Sequence, residues 1–306
     1  MYEKIVLVTR RTRLAGLVER FNTKKQAKFY VEHAGQDFEE FSREDEAYRR
    51  AVDGLRDTLA LGLPVQQVDR SLVPTFLFTG KEIVVVAGQD GLVANVAKYV
   101  GEQPLVGVNP DPERFDGILL PHQVADARGA VRRVLDGKAG YRRVTLAEAR
   151  LEDGQRLLAF NDLFIGARTH VSARYRLRYG ESEESQSSSG VLVSTGAGSS
   201  GWLSSVFTLT RQLTELTGGT PGAPWKLGWE EPRLAFVVRE PFLSRHSTAE
   251  LVGGFVTEER ELVLESRMAS GGVIFSDGVE EDFLAFGAGA TARIRPAKQR
   301  ARLVVG

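Results

Sequence analysis

The segment Val191 to Trp202, VLVSTGAGSSGW, sets Gly196, Gly198 and Gly201 in a G-x-G-x-x-G spacing behind an apolar run and ahead of a helical pattern. Small residues at such a turn let backbone N–H groups approach a phosphate or a ribose, and Ser194, Thr195, Ser199 and Ser200 add hydroxyls at the start of the helix. A plain strand-to-helix turn, with glycine supplying only unusual dihedrals, has the same composition. A Rossmann turn would need a parallel βαβ unit and an acid roughly twenty residues on. Here the preceding strand belongs to a run of hairpin-linked strands, and the acid after the next strand is Glu240, about forty residues past Gly196. The glycine loop is therefore not read as a nicotinamide-dehydrogenase fingerprint.

Three further places carry usable chemistry. Gly88 and Gly91 bracket Asp90 at the carboxyl end of the apolar run Ile83 to Ala87, the end at which open α/β sheets bind ligands. A carboxylate there could take the proton of an attacking hydroxyl, or could simply close an Asp-Gly turn on its own backbone. Asn161 and Asp162 follow Leu157 to Phe160. An asparagine amide offers donor and acceptor to an adenine edge, and the acid suits a ribose hydroxyl or an amide, unless both only form a polar turn. Asn109 and Asp111 follow the next apolar run and are candidates to line the same region. Trp202 could pack on a ligand ring or begin the apolar stripe of its helix. Asp277 and Gly278 fit a hairpin turn.

The elements that must position these residues fall into two kinds. Up to about residue 137, short apolar runs (Ile5 to Val8, Ile83 to Ala87, Pro104 to Asn109) alternate with helical patterns, as in a parallel, doubly wound sheet. A capping-box spacing at Ser42 and Asp45 predicts a helix whose apolar face is Tyr48, Ala51, Val52, Leu55 and Leu59. Leu92, Val93, Val96, Tyr99 and Val100 predict a short helix, and Val124, Val131, Val134 and Leu135 another. From about residue 138 the period becomes two. Leu151 and Leu157 flank the turn EDGQ, and Val171, Ala173, Tyr175, Leu177 and Tyr179 alternate with Ser172 and three arginines that read as a solvated face. Strands are expected at Leu234 to Val238, Glu261 to Glu265 and Ala292 to Ile294, a helix over Trp202 to Leu216, and a mobile polar loop over Tyr179 to Gly190. The expectation is a Rossmann-like α/β domain over residues 1–137 and a mainly antiparallel β domain over 138–306, whose last residues could pack back on the first.

Composition narrows the partners. Lysine plus arginine equals aspartate plus glutamate at 40 each in 306 residues, so no whole-molecule field favours nucleic acid or an anionic membrane. The chain has no cysteine, and its four histidines are far apart in sequence, which argues against a structural zinc. No apolar run is long enough for a signal-peptide core or a membrane span, so a cytoplasmic protein is expected.

Taken in order, GQDG, GVNPDPERFDGILLP, NDLFIG, SSGVLVSTGAGSSGW and FSDG resemble the NAD kinase family from about Ile83 to the C-terminus. GVNPDPER with LLP, and Arg239-Glu240-Pro241, are most similar to its mitochondrial type and bacterial relatives. The resemblance implies an α/β domain followed by a β-rich domain, with the active site in the cleft between them, and a homodimer or higher homo-oligomer. It implies transfer of the ATP γ-phosphoryl group to the adenosine 2′-hydroxyl of NAD, with Mg²⁺, giving NADP. On this resemblance Asp90 is the general base, and the substrate and cofactor are held by Gly88, Gly91, Asn109, Asn161, Asp162, Ser194, Thr195, Gly198, Ser199 and Trp202. Two departures bear on activity. The family's Gly-Gly-Asp-Gly-Thr reads Gly88-Gln89-Asp90-Gly91-Leu92, which adds a side chain beside the phosphates and removes a hydroxyl, and Asp162 replaces a glutamate. A catalytically silent NAD- or nucleotide-binding protein and a related lipid or sugar kinase are the alternatives.

Overall fold

The computed structural model describes residues 1–223 and 225–306, and the chain divides into two units, Met1–Arg142 with Arg302–Gly306, and Arg143–Ala301. In the first unit β1 (Lys4–Thr9) leads through three helices, α1 (Arg13–Phe21), α2 (Lys24–His33) and α3 (Phe38–Thr58), to β2 (Val65–Asp69). Then come β3 (Glu82–Ala87), α4 (Asp90–Ala97), β4 (Pro104–Asn109), the two-residue β5 (His122–Gln123) and α5 (Ala127–Leu135). The strands run parallel in the order β4-β3-β1-β2, and Arg302 and Leu303 add in parallel on the far side of β4. Every residue of β3 and β4 is buried, as expected for central strands covered on both faces. One face packs Ile83, Val85 and Ala87 against Tyr48, Val52 and Leu55 of α3 and Val131 and Val134 of α5.

The second unit is antiparallel. It starts with the hairpin of β6 (Gly140–Leu151) and β7 (Arg156–Ala159), then β8 (Asp162–Ala167), β9 (Ala173–Tyr179), β10 (Ser182–Ser188) and β11 (Val191–Ser194). A 3₁₀ turn over Gly198–Ser200 leads into α6 (Trp202–Leu216). The remaining strands are β12 (Leu234–Val238), β13 (Gly253–Val256), β14 (Leu262–Ser266), β15 (Gly272–Ser276), β16 (Val279–Ala285) and β17 (Thr291–Val305). One sheet has the order β13-β12-β11-β8-β15-β16, and β10-β9-β14-β17 pair as a second group. Alternate residues of both, among them Leu163, Ile165, Val193, Phe236, Tyr175, Leu177 and Leu264, share a single apolar core.

Several expectations are corrected. The helix read from Ser42 begins at Phe38, with Asp37 as N-cap accepting from the Glu39 N–H and with Glu39 and Glu40 in the first turn. Ser42 and Asp45 lie buried inside it, and Asp45 accepts the hydroxyl of Thr12 at the start of α1 instead of closing a cap. Residues 13–33, for which no element is predicted, form two helices whose Leu14, Ala27 and Val31 make a small core with Phe38 and Phe41. The polar stretch 179–190 is no loop, since Ser182–Ser188 pairs residue for residue with β9. This edge strand can be polar because most of its side chains reach water, Gln186 and Ser188 alone being buried. On α6 the predicted apolar stripe is only partly covered, with Leu209, Leu213 and Leu216 at 53%, 51% and 80% exposure.

Candidate functional site

In the first unit the turn after β3 is braced from behind. Tyr48, buried on α3, donates its hydroxyl to the carbonyl of Ala87 at 2.9 Å and accepts the N–H of Arg10, the first residue after β1, at 2.8 Å. Burial raises the Tyr48 phenol to about 12, so it stays a neutral donor. Nearby, Arg10, Arg13 and Arg114 converge on Glu44, which is 5% exposed. Burial alone would raise its carboxyl, but the guanidinium groups of Arg13 and Arg10 hold it below the ordinary value.

Gln89 is the N-cap of α4 and Asp90 its first residue. The Asp90 carboxylate accepts the N–H of Leu119 on Oδ1 at 2.7 Å and that of Ile118 on Oδ2 at 3.3 Å. Asn109, at the end of β4, is spent on the same loop, donating to the Phe115 carbonyl at 2.8 Å and accepting the Asp111 N–H at 3.0 Å. The two glycines of the turn differ. A Cβ at Gly88 would lie 2.7 Å from Cδ2 of Leu92, so the space that glycine leaves is filled by that leucine. At Gly91 a Cβ would meet nothing within 4 Å. At the start of α4 the Leu92 N–H already donates to the Gln89 carbonyl at 2.9 Å, which leaves the N–H groups of Asp90 and Gly91 as the ones without an intrahelical acceptor.

In the second unit the predicted residues Asn161, Asp162, Thr195 and Gly198 come together around one turn. Residues 160–162 join β7 to β8, and their backbone is held on both sides. Phe160, Asn161 and Asp162 donate their N–H groups to the Asp277 carboxylate at 3.0, 2.6 and 3.2 Å. Thr195 donates its hydroxyl to the Phe160 carbonyl at 2.6 Å and its N–H to the Asn161 carbonyl at 2.9 Å. Gly198 donates to the Thr195 hydroxyl at 3.2 Å and packs so closely that a Cβ would sit 2.2 Å from Asn161 O and 2.7 Å from Asp162 Oδ1. Ser194 is fully buried, and Ser199 turns its hydroxyl back on the Gly196 carbonyl at 2.7 Å. These hydroxyls build the loop that carries them.

With the backbone occupied, the turn presents side chains. Asn161 bonds through its backbone N–H and carbonyl, and Asp162 Oδ1 is buried without a partner. Burial raises the Asp162 carboxyl to about 7, with the Ser194 hydroxyl opposing the shift and the charge of Asp277 adding to it. Trp202 stacks on Phe164 with centroids 5.8 Å apart, and the Arg239 guanidinium lies 5.1 Å from its ring.

Two of the cavities lie away from Asp90 and Asp162, and the second of them includes the predicted Ser199 in its wall. One of about 370 Å³ in the first unit opens at the carboxyl ends of β1 and β2, lined by Arg10, Thr12, Tyr48, Arg56 and Asp69 among others. One of about 300 Å³ in the second unit is lined by α6 together with Pro221, Gly222, Trp225 and Lys226, with Phe207 and Trp225 in its wall. Neither is lined by Asp90 or Asp162. The charged run Thr9 to Arg13 after a strand was the available sequence signal for the first. Among the described residues no group of three His, Cys, Asp or Glu side chains is placed to hold a metal ion, and no helix is long and apolar enough to cross a membrane.

No protein-family model matches the sequence, and no curated protein matches it. Solved structures do. The yeast NADH kinase complexed with NADH superposes with a TM-score of 0.57 at 12% identity, covering 100% of this chain and 84% of that one. An NAD kinase from Archaeoglobus fulgidus in complex with ATP gives a TM-score of 0.55 at 16% identity, covering 98% of this chain and 93% of that one. The chain thus has the fold found in NAD kinases, an N-terminal α/β domain and a C-terminal antiparallel β domain.

Proposed function

We propose that the protein is a phosphotransferase of the NAD kinase type, moving the γ-phosphoryl group of ATP to the adenosine 2′-hydroxyl of NAD to give NADP. The observation that carries this reading is the unpartnered, buried Oδ1 of Asp162 on a turn whose backbone is already held. A buried acceptor without a donor costs roughly 1–3 kcal/mol, and a ligand hydroxyl or N–H supplies what is missing. The fold supports the choice of ligand, since one neighbour is complexed with NADH and the other with ATP. The segment pattern that resembles the mitochondrial type supports that subgroup.

In this reading Asn161 meets the adenine edge of NAD and Asp162 a ribose hydroxyl or the amide, while Thr195, Ser194, Gly198 and Ser199 maintain the loop behind them. Asp90 is the general base. It takes the proton of the 2′-hydroxyl as that oxygen bonds to the γ-phosphorus, and the bond to the departing ADP oxygen breaks with its electron pair on ADP. Such transfers depend on positioning and charge stabilisation, which the N–H groups of Asp90 and Gly91 in the first turn of α4 suit. Mg²⁺ enters with ATP as part of that substrate, and no resident metal is invoked. The test is formation of NADP from NAD and Mg·ATP by purified protein, read with an NADP-specific dehydrogenase. A protein that binds NAD but forms no NADP would be a silent binding protein, the second reading, which the Leu92 side chain over Gly88 favours. Absence of both binding and product would reject the proposal.

A further inference from the structure

The hairpin between β15 and β16 turns on two residues, Asp277 with φ +54° and Gly278 with φ +69°. Both left-handed angles belong to the two-residue hairpin turn that favours Asn-Gly and Asp-Gly equally, so the turn by itself asks for no charge. The carboxylate does something else. Its two oxygens collect three consecutive N–H groups from residues about 116 positions earlier, and the Asp277 N–H returns a bond to the Asp162 carbonyl at 2.9 Å. Only an acceptor-only group with two oxygens can take three donors; an asparagine amide would turn its NH₂ toward one of them.

We propose that Asp277 is the positioning residue of the nucleotide-binding turn, fixing the backbone of residues 160–162 so that the Asn161 and Asp162 side chains meet the ligand in one geometry. The assignment of that ligand as NAD rests on the function proposed above; the fixing of the turn does not. Preorganisation of this kind removes an ordering cost from binding. The groups facing Asp162 are Ser194 from β11, Gly198 from the 3₁₀ turn and Asp277 from the hairpin, so replacing Asp277 also removes the one charge among them.

The test compares wild type with Asp277→Asn, which keeps the Asn-Gly turn, and with Asp277→Glu, which keeps the charge but moves it by a methylene. Amide hydrogen exchange of residues 160–162 in the ligand-free protein should quicken at least roughly tenfold in Asp277→Asn while β8 and β15 stay protected. NAD affinity should fall roughly tenfold, and its pH midpoint, near 7 in wild type, should move down because the neighbouring charge is gone. Asp277→Glu should loosen the turn yet leave that midpoint in place, and it carries the test if the asparagine variant does not fold. Unchanged exchange at 160–162 overturns the proposal, and so does an affinity loss that is uniform across pH. Should wild type bind no NAD, the functional reading fails while the exchange result still decides whether Asp277 holds the turn.

Discussion

The Asp90 loop and the Asp277-held turn use the same device with opposite outcomes. In the first unit the catalytic candidate itself accepts backbone N–H groups, one on each oxygen, from a loop 28 and 29 residues away. In the second, one aspartate accepts the N–H groups and a different one, Asp162, is left with a bare buried oxygen. On the proposed reading, Asp90 as base would share its contacts with an incoming hydroxyl, whereas Asp162 as binding acid would be oriented by proxy and keep its bonding capacity. Sharing is feasible at Asp90 because each carboxylate oxygen has two acceptor sites and the Ile118 contact is long at 3.3 Å.

The largest expected effect tests that division directly. Asp90→Asn keeps an oxygen for Leu119 but loses the proton acceptor, so NADP formation should fall roughly 10³-fold or more. NAD affinity should stay within about twofold, because the interaction matters in the transition state and not in the ground state. Coupled kinetics and calorimetric titration would measure both. Retention of a tenth of the wild-type turnover would reduce Asp90 to a second loop anchor and remove the contrast.

What was legible in the sequence follows the range of the interactions. Ile83–Ala87 and Pro104–Asn109 stand out because strands buried on both faces must be continuously apolar. The alternation of Ala173, Tyr175, Leu177 and Tyr179 gave β9 for the same reason on one face. Helices α1 and α2 did not show, because they fully bury only Leu14, Ala27 and Val31 and leave apolar residues such as Phe29 and Tyr30 exposed, which blurs the apolar period. Ser182–Ser188 is a strand by virtue of its neighbour β9, information absent from its own polar composition. At the candidate site Asn161, Asp162 and Thr195 were nameable one by one, but Asp277 read as a turn residue since its partners lie more than a hundred positions away.

The second effect concerns Asp162. Its carboxyl titrates near 7 in the folded protein against an ordinary 3.8. A raised acid pKa means the folded state binds the proton more tightly than the unfolded chain, so stability falls as pH rises from about 4 through 7 and is level above that. The full span is worth roughly 4 kcal/mol at most. Asp162→Asn should therefore be more stable than wild type at pH 8 and lose that advantage at pH 4, as read by denaturant midpoints. A parallel pH profile for the two proteins would show that Asp162 is solvated, and with it the idea of an oxygen waiting for a ligand would go.

The smallest effects come from two glycines, one in each region. Alanine at Gly198 would push its Cβ into the Asn161 carbonyl and Asp162, a backbone neighbour that the Asp277 and Thr195 bonds prevent from yielding. The expected cost is roughly 3 kcal/mol, with NAD binding lost alongside it. Alanine at Gly91 meets open space within the first turn of α4, where its φ is not left-handed, so it should add up to about 1 kcal/mol of helix stability. It would also place a methyl group beside the N–H groups assigned to phosphate. Gly91→Ala should therefore raise the melting temperature slightly while raising the KM for Mg·ATP and leaving that for NAD alone. If KM for Mg·ATP does not move, phosphate does not approach α4 at Gly91, and the donor site has to be sought elsewhere in the first unit, with the Arg10 and Arg56 cavity as the place to begin.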